Sequence, residues 1–165
     1  MKKMYVCVMK NKQGNDRFSV DVEIDQNTGH VIRETWRNSS GQVDRLGDRP
    51  AMSTYCPTTG VTVGQTWFCN GKQHRDNDKP AILRFDAATG NETLRAYWID
   101  DRPHRLGDAP AAIYSSASGS VMSEQFALFG MFHRTNGPAK IDYDEHTGDV
   151  TLTEYWVNDQ KVEPF

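Results

Sequence analysis

Residues 67–81 read WFCNGKQHRDNDKPA, an aromatic residue followed by His-Arg and then by Pro-Ala. The same pattern recurs as WRNSSGQVDRLGDRPA at 36–51, WIDDRPHRLGDAPA at 98–111 and FALFGMFHRTNGPA at 126–139. We refer to these four segments, in chain order, as the first to fourth repeats. Their arginines, Arg45, Arg75, Arg105 and Arg134, lie 30, 30 and 29 residues apart. A fixed period of about 30 residues is typical of a repeat architecture, and it decides the fold class.

Between the repeats, the sequence alternates apolar and polar residues as strands with one buried face do. Ala81, Leu83 and Phe85 occupy every second position, and the run NETLRAYWID at 91–100 follows them. A Thr-Gly or Ser-Gly pair separates two such runs, and its glycine permits the positive φ of a tight hairpin. No segment places apolar residues at helical spacing. We therefore predict an all-β antiparallel β-meander of about ten or eleven strands, built from about four to five ~30-residue two-stranded repeats in an open twisted or curled sheet.

The chain is predicted to be a single repeat domain, 1–165, with degenerate ends. Residues 1–29 are predicted to form an N-terminal cap, in which Asp16-Arg17 replaces His-Arg without a following Pro-Ala. Residues 30–157 hold the repeats, and 158–165 form a truncated C-terminal cap. Terminal repeats that depart from the pattern protect the edges of an open sheet.

The composition favours a thin sheet, and the lack of a membrane helix or secretory signal in the sequence favours a cytoplasmic location. The net charge is −3, 37% of the residues are hydrophobic, and the mean hydropathy is −0.70. No stretch approaches the roughly 18 apolar residues of a membrane helix, and the apolar run before Lys10 is too short for a secretory signal. Cys7, Cys56 and Cys69 lack a paired spacing and are expected to be buried or partly buried free thiols.

The repeated aromatic residues are predicted to fill the hydrophobic layer beneath the Pro-Ala strands. This prediction covers Trp36, Trp67, Trp98 and Trp156, with Phe126 in the fourth repeat. The alternative is an exposed aromatic stripe that stacks nucleic-acid bases or binds a protein partner.

The histidines and arginines of the repeats have a structural and a functional interpretation. His74, His104 and His133 lie one repeat apart, about 9–10 Å, which is too far to share a metal ion, so no metal site and no cofactor are predicted. In the structural interpretation, each His and Arg bonds to an acidic loop of its own or the neighbouring repeat, such as Asp78 or Asp108. In the functional one, the arginines form a row that follows a phosphate backbone or an acidic protein surface, and exposed histidines titrate near pH ~6.5.

No catalytic motif is present, so the chain is not expected to be an enzyme. It contains no phosphate-binding glycine loop, no G-x-S-x-G elbow and no H-E-x-x-H sequence. The fourth repeat departs from the others by an apparent insertion of Leu128-Phe129 before Gly130. Met131 and Phe132 in this loop are candidate anchors for a partner if exposed, and they pack locally if buried.

The pattern W-x-x-x-G-x-x-H-R-x-x-G-P-A followed by a Thr-Gly hairpin resembles the degenerate MORN-like repeats of bacterial and bacteriophage proteins, some of them of the YwqK antitoxin-like type. The resemblance covers roughly residues 30–160 and is fullest at 74–81, 104–111 and 133–139. It implies a sheet-forming scaffold that binds other macromolecules, and it implies neutralisation of a toxin or inhibition of a host protein by direct binding. The chain has no polybasic cluster of the kind that binds anionic lipid.

The sequence thus predicts a non-catalytic protein-binding module in the cytoplasm of a bacterial or infected host cell. A protein partner is preferred, a nucleic acid bound by the arginines is the second alternative, self-association is the third, and no membrane contact is expected. The residues predicted to contact the partner are Arg45, His74, Arg75, His104, Arg105, Met131, Phe132, His133 and Arg134.

Overall fold

The structure is a computed structural model that describes residues 9–10 and 17–164. All regular elements in this part of the chain are β-strands, and it contains no helix that could cross a membrane. The strands are β1 (Met9–Lys10), β2 (Arg17–Ile24), β3 (Val31–Arg37), β4 (Met52–Tyr55), β5 (Thr62–Thr66), β6 (Phe68–Cys69), β7 (Lys72–Gln73), β8 (Ile82–Phe85), β9 (Glu92–Ala96), β10 (Trp98–Ile99), β11 (Arg102–Pro103), β12 (Ala112–Ser115), β13 (Val121–Gln125), β14 (Ala127–Leu128), β15 (Met131–Phe132), β16 (Lys140–Tyr143), β17 (Val150–Glu154), β18 (Trp156–Val157) and β19 (Gln160–Lys161).

Eleven of these strands form one sheet in the order β1-β2-β3-β4-β5-β8-β9-β12-β13-β16-β17. Neighbouring strands are antiparallel and follow the chain order, so the sheet is a meander, and it is not closed. The other strands pair as four ribbons, β6–β7, β10–β11, β14–β15 and β18–β19. The predicted all-β antiparallel meander is confirmed. The ribbons are a second set of strands that the sequence did not predict.

The ribbons turn tightly and contact one another along the array. Asn70 (φ 49°) and Gly71 (φ 86°) turn the first ribbon, and both lie in the left-handed region that Asn and Gly tolerate best. The backbone N–H of Asp101, at the next turn, donates to the carbonyl of Gln73 in the preceding ribbon (3.0 Å). Each turn therefore joins two neighbouring repeats.

The predicted insertion in the fourth repeat is wrong. Leu128 and Phe129 occupy the same ribbon positions as Cys69 and Asn70, and the two ribbons have the same length. Phe129 has a φ of 51°, so an aromatic residue takes the turn position that Asn70 takes in the second repeat.

Three hairpins between the long strands are closed by an acidic side chain at the first turn position. The carboxylate of Asp86 accepts the backbone N–H groups of Ala88 and Thr89 (3.0 and 2.8 Å), and Asp25 and Asp144 act in the same way in other hairpins. Cys56 stands at this position in the β4–β5 hairpin. The predicted Thr-Gly and Ser-Gly turns are confirmed, because the glycine of each of these pairs has a positive φ.

Each repeat contributes one buried aromatic residue and one buried alanine to the core. The aromatic backbone N–H donates to the alanine carbonyl across the sheet at 2.7–2.8 Å. The pairs are Trp36 with Ala51, Trp67 with Ala81, Tyr97 with Ala111 and Phe126 with Ala139, all of them buried. The predicted role of Trp36, Trp67 and Phe126 in the hydrophobic layer is confirmed.

The third repeat begins at Tyr97 and not at Trp98, which corrects the sequence alignment by one residue. Because side chains alternate between the faces of a strand, Trp98 lies on the opposite side and packs against Ile82, Ala96 and Ala112. Trp156 begins β18 at the equivalent ribbon position and is half-buried. Trp98 thus fills a hydrophobic layer against the strand that follows Pro110-Ala111, as predicted, but on the face opposite to that of Tyr97, while the predicted role of Trp156 stays a prediction.

Candidate functional site

The arginines of the four repeats, which we call the arginine ladder, each lie on the core aromatic residue of their own repeat. The distances from the guanidinium carbon to the ring centroid are 4.1 Å for Arg45 on Trp36 and 3.8 Å for Arg75 on Trp67, Arg105 on Tyr97 and Arg134 on Phe126. Each Nη1 also donates to the carbonyl of the proline in the same loop, at 3.0–3.3 Å. These two contacts fix every guanidinium in the same orientation.

Three arginines of the ladder bind a carboxylate of the preceding repeat in bidentate fashion. Nε and Nη2 donate from Arg75 to Asp48 (2.7 and 3.3 Å), from Arg105 to Asp78 (2.9 and 3.0 Å) and from Arg134 to Asp108 (2.7 and 3.3 Å). The predicted contacts to Asp78 and Asp108 are confirmed. The ladder joins neighbouring repeats, so these three guanidinium groups are already engaged within the molecule.

Asp48 is the most strongly bound of these carboxylates. Lys79 Nζ lies 2.6 Å from Asp48 Oδ2, in addition to the two bonds from Arg75. Hydrogen bonds from Arg75 and then Lys79 lower the pKa of Asp48 from 3.8 to about 2. The Asp48 carboxylate therefore stays ionised at neutral pH.

The three histidines contact the ribbon turn of the following repeat. The backbone N–H of Asp100 donates to Nδ1 of His74 (3.4 Å), that of Phe129 donates to Nδ1 of His104 (3.2 Å), and Nδ1 of His133 lies 2.8 Å from Oδ1 of Asn158. The histidines thus contact the next repeat at its turn, and Nε2 of His74 also lies 3.0 Å from Oδ1 of Asp76 in the acidic loop of its own repeat, as predicted. No group of three His, Cys, Asp or Glu residues that could hold a metal ion occurs among the residues described.

His104 is the most enclosed histidine of the repeats. Its side chain is buried, and its ring stacks on Phe129 with the centroids 4.2 Å apart. Burial lowers the pKa of His104 below its usual value of 6.5. His104 therefore does not meet the condition of solvent exposure on which the predicted titration near pH ~6.5 depended.

Met131 and Phe132, the candidate anchors, form strand β15 and are both half-buried. The ring centroid of Phe132 lies 6.2 Å from that of Trp156, and its backbone N–H donates to Asp159 (2.6 Å). Phe129, at the turn, is the aromatic residue of this ribbon that is half exposed. The structure therefore places one candidate, Phe132, beside an apolar groove.

This sheet-face groove has a volume of about 160 Å³. It lies between the sheet and the ribbons of the third and fourth repeats, and no charged side chain of the described residues lines it. Its lining includes Ile82, Leu94, Ala96, Trp98, Pro103, Ala112, Tyr114, Gln125, Ala127 and Phe132. Tyr114 is 39% exposed at the groove, so the opening reaches solvent.

The groove lies where the repeat pattern loses an aromatic residue. The first position of a ribbon holds Phe68, Trp98 or Trp156 in three ribbons, but it holds Ala127 in the ribbon β14–β15 of the fourth repeat. Its cross-strand neighbour is Phe132 in place of the Gln, Pro or Lys of the other ribbons. Sequence reasoning missed Ala127, although aligning the fourth repeat on Tyr97-Trp98 would have shown alanine in the place of Trp98.

Comparisons with known protein families, with curated proteins and with solved structures find no match for this chain. The MORN-like resemblance stays a prediction that rests on the motif alone.

Proposed function

We propose that this chain is a non-catalytic protein-binding module whose sheet-face groove receives an apolar side chain of its partner. The observation that supports this proposal is Ala127, which opens an apolar groove where the other ribbons place Phe or Trp. An exposed apolar concavity on a rigid surface is typical of an interaction site.

The size of the groove fits one side chain. A cavity of about 150 Å³ lined by apolar residues holds a single benzene ring, so a groove of about 160 Å³ suits one aromatic or large aliphatic side chain. Such buried anchors carry much of the binding energy of protein interfaces. One side of the groove is held by hydrogen bonds of the sheet and the other by the pairing within two ribbons, so both are ordered before contact, which limits the entropy lost on binding.

The engagement of the arginine ladder favours a protein partner over a nucleic acid. A phosphate backbone bound by Arg75, Arg105 and Arg134 has to displace a bidentate carboxylate at each of them. The acids that accompany the arginines also weaken the positive field that attracts nucleic acid. The groove carries no such competing charge among its described lining residues.

The finer proposal is that binding neutralises the partner in the cytoplasm. This outcome follows the MORN-like resemblance, in which antitoxin-like and phage proteins act by direct binding. A host or toxin protein with an exposed apolar side chain is then the target class.

The experiment is an affinity capture of the tagged chain from nuclease-treated bacterial lysate, read by mass spectrometry. Ala127→Phe restores the residue type of Phe68 and fills the groove, while Leu106→Ser removes a leucine that is 70% exposed outside it. We expect one stoichiometric protein with the unmodified chain and with Leu106→Ser, and about a tenfold or greater loss with Ala127→Phe.

Three outcomes contradict the proposal. Undiminished capture by a folded Ala127→Phe variant removes the groove from the site. Recovery of nucleic acid alone, in a parallel capture from lysate without nuclease, favours nucleic-acid binding by the arginine ladder. Recovery of the chain itself as the sole protein favours self-association.

A further inference from the structure

Arg45 differs from the other arginines of the ladder in one contact. It has the same aromatic stacking, on Trp36, and the same bond from Nη1, to the Pro50 carbonyl (3.2 Å). Among the described residues, however, no carboxylate lies within ion-pair distance of its guanidinium. The edge formed by Nε and Nη2, which binds an aspartate in the other three arginines, has no acidic partner in this part of the chain.

The strand register explains why this carboxylate is missing. In the β2–β3 hairpin Val22 pairs with Glu34, as Ser53 pairs with Gln65 in the β4–β5 hairpin. The count that leads back from Ser53 to Asp48 leads from Val22 to Arg17, which lies in strand β2 and not in a loop like that of Asp48. The residue at this position is thus basic and cannot supply a carboxylate to Arg45.

A second cation reinforces the site. Arg49 lies in the same loop, and neither arginine forms an ion pair with a described carboxylate. The pKa of Arg45 is lowered first by burial and then by the charge of Arg49, and these two effects outweigh the opposite effect of Glu34. Arg45 is therefore partly buried beside a second cation.

The two arginines line an open polar cleft. It has a volume of about 630 Å³ and is also lined by Lys79 and by three aspartates, Asp44, Asp48 and Asp76, of which Asp48 is bound by Arg75 and Lys79. The equivalent clefts between later repeats measure about 360 and 210 Å³. The largest cleft therefore lies at the repeat whose arginine has no acidic partner in the part of the chain described.

We propose that Arg45, supported by Arg49, binds a carboxylate group, and that its natural source is an aspartate or glutamate side chain of a partner protein. The same guanidinium orientation holds an aspartate at three further places in this molecule, with both oxygens engaged. A planar guanidinium fork matches the two oxygens of a carboxylate. This site goes beyond the proposed groove function and does not depend on it.

The test is a titration of the ¹⁵N-labelled full chain with sodium acetate, observed through the arginine Nε–H resonances. Sodium chloride keeps the ionic strength constant, and an Arg45→Lys variant assigns the resonance. We expect a saturable shift of Arg45 alone, while Arg75, Arg105 and Arg134 serve as occupied internal controls and stay unchanged. Arg49→Gln should weaken the acetate affinity by about two- to fivefold.

Several results overturn the inference. Absence of a saturable shift removes the site. A shift with inorganic phosphate that exceeds the acetate shift at equal concentration assigns the site to phosphate instead. A shift that appears only in an Asp16→Asn variant means that the chain supplies its own carboxylate. One combined result instead supports both proposals. If Ala127→Phe loses the partner but keeps the acetate shift, the groove and the Arg45 site are separate, because the two measurements respond to different residues.

Discussion

Replacing Arg105 by methionine tests whether the arginine ladder stabilises the array. The substitution keeps an unbranched apolar stem and removes the stacking on Tyr97, the bidentate pair with Asp78 and the bond to the Pro110 carbonyl. The Arg105 side chain is only 18% exposed, whereas that of Asp78 is 64% exposed, so solvent weakens the ion pair more than the stacking.

The magnitude follows from these contacts. Stacking of a cation on an aromatic ring contributes about 1 kcal/mol, and a hydrogen bond to a carbonyl contributes about 1 kcal/mol. A solvent-exposed ion pair with bidentate geometry adds about 0.5–1 kcal/mol. We therefore expect Arg105→Met to lower the free energy of unfolding by about 2–3 kcal/mol, and Asp78→Asn to lower it by about 0.5–1 kcal/mol.

Urea denaturation measures the effect, with Arg45→Met as the matched control. Arg45 has the stacking and the proline carbonyl but no described carboxylate, so its replacement should cost about 1–2 kcal/mol. A double-mutant cycle should give a coupling of about 0.5–1 kcal/mol between Arg105 and Asp78. In a repeat array each repeat contacts only its neighbours, so the central substitution should also broaden the transition and lower its slope. Equal costs for the two arginines, together with additive effects of Arg105 and Asp78, would refute a stabilising ladder.

Three further predictions concern titratable groups. The pKa of Asp48 is lowered from 3.8 to about 2 by Arg75 and Lys79, so its stabilising effect is present above pH 3.8 and is lost towards pH 2; thermal unfolding over this range should show a pH dependence that Asp48→Asn reduces. Hydrogen bonds from Thr58 and Thr59 lower the pKa of the Cys56 thiol from 9.0 to about 6, whereas burial and nearby acids raise the pKa of the Cys69 thiol. The rate of alkylation by iodoacetamide, followed by peptide mass spectrometry, should therefore reach half its maximum near pH 6 at Cys56 and only at a far higher pH at Cys69. Burial lowers the pKa of His104, so stability should be complete above pH 6.5 and fall as acid protonates the ring; NMR should find the proton of the neutral ring on Nε2, because Nδ1 accepts the backbone N–H of Phe129.

The meander was predictable because two periods agree in the sequence. Alternation such as that of Ala81, Leu83 and Phe85 indicates strands, although Ile82 on the other face is buried as well, and the spacing of the arginines sets the number of strands in the main sheet. Both signals are local, and no long-range contact has to be known in advance. The pairing of an arginine with the preceding acidic loop, as in Arg105 with Asp78, also followed from the repeat.

The error at Tyr97 and Trp98 shows what the repeat pattern leaves open. The two aromatic residues are adjacent, and either one satisfies the motif by residue type. A shift of one residue moves a strand side chain to the opposite face. The face is decided by hydrogen bonding, because the N–H of Tyr97 donates to the Ala111 carbonyl (2.7 Å).

The groove at Ala127 is hidden in the sequence for a related reason. If the stretch FALFGMF is aligned with an insertion, as the sequence suggests, Ala127 has no equivalent in the other repeats. The equivalence becomes visible only when Ala127 is paired with Phe132 across the ribbon, as Trp98 is paired with Pro103. In the fourth repeat the aromatic residue stands on the opposite strand of the ribbon, at Phe132 instead of Ala127. Two positions change together, so neither position by itself reveals the missing aromatic residue.

In this array the shared residues hold the repeats together, and the candidate sites lie where a shared contact is broken. Arg105 has the residue type of a partner-binding group, but Asp78 already binds it, whereas Arg45 has no such described partner. Alanine substitution throughout the ladder would weaken the sheet, and the lost binding would be mistaken for a lost interface. Ala127→Phe instead restores the pattern of Phe68, so it removes the groove and keeps the contacts that the fold requires. A substitution that makes an exceptional position resemble its repeats is therefore the sharper test of function, because retained stability and lost binding can then be observed in the same variant.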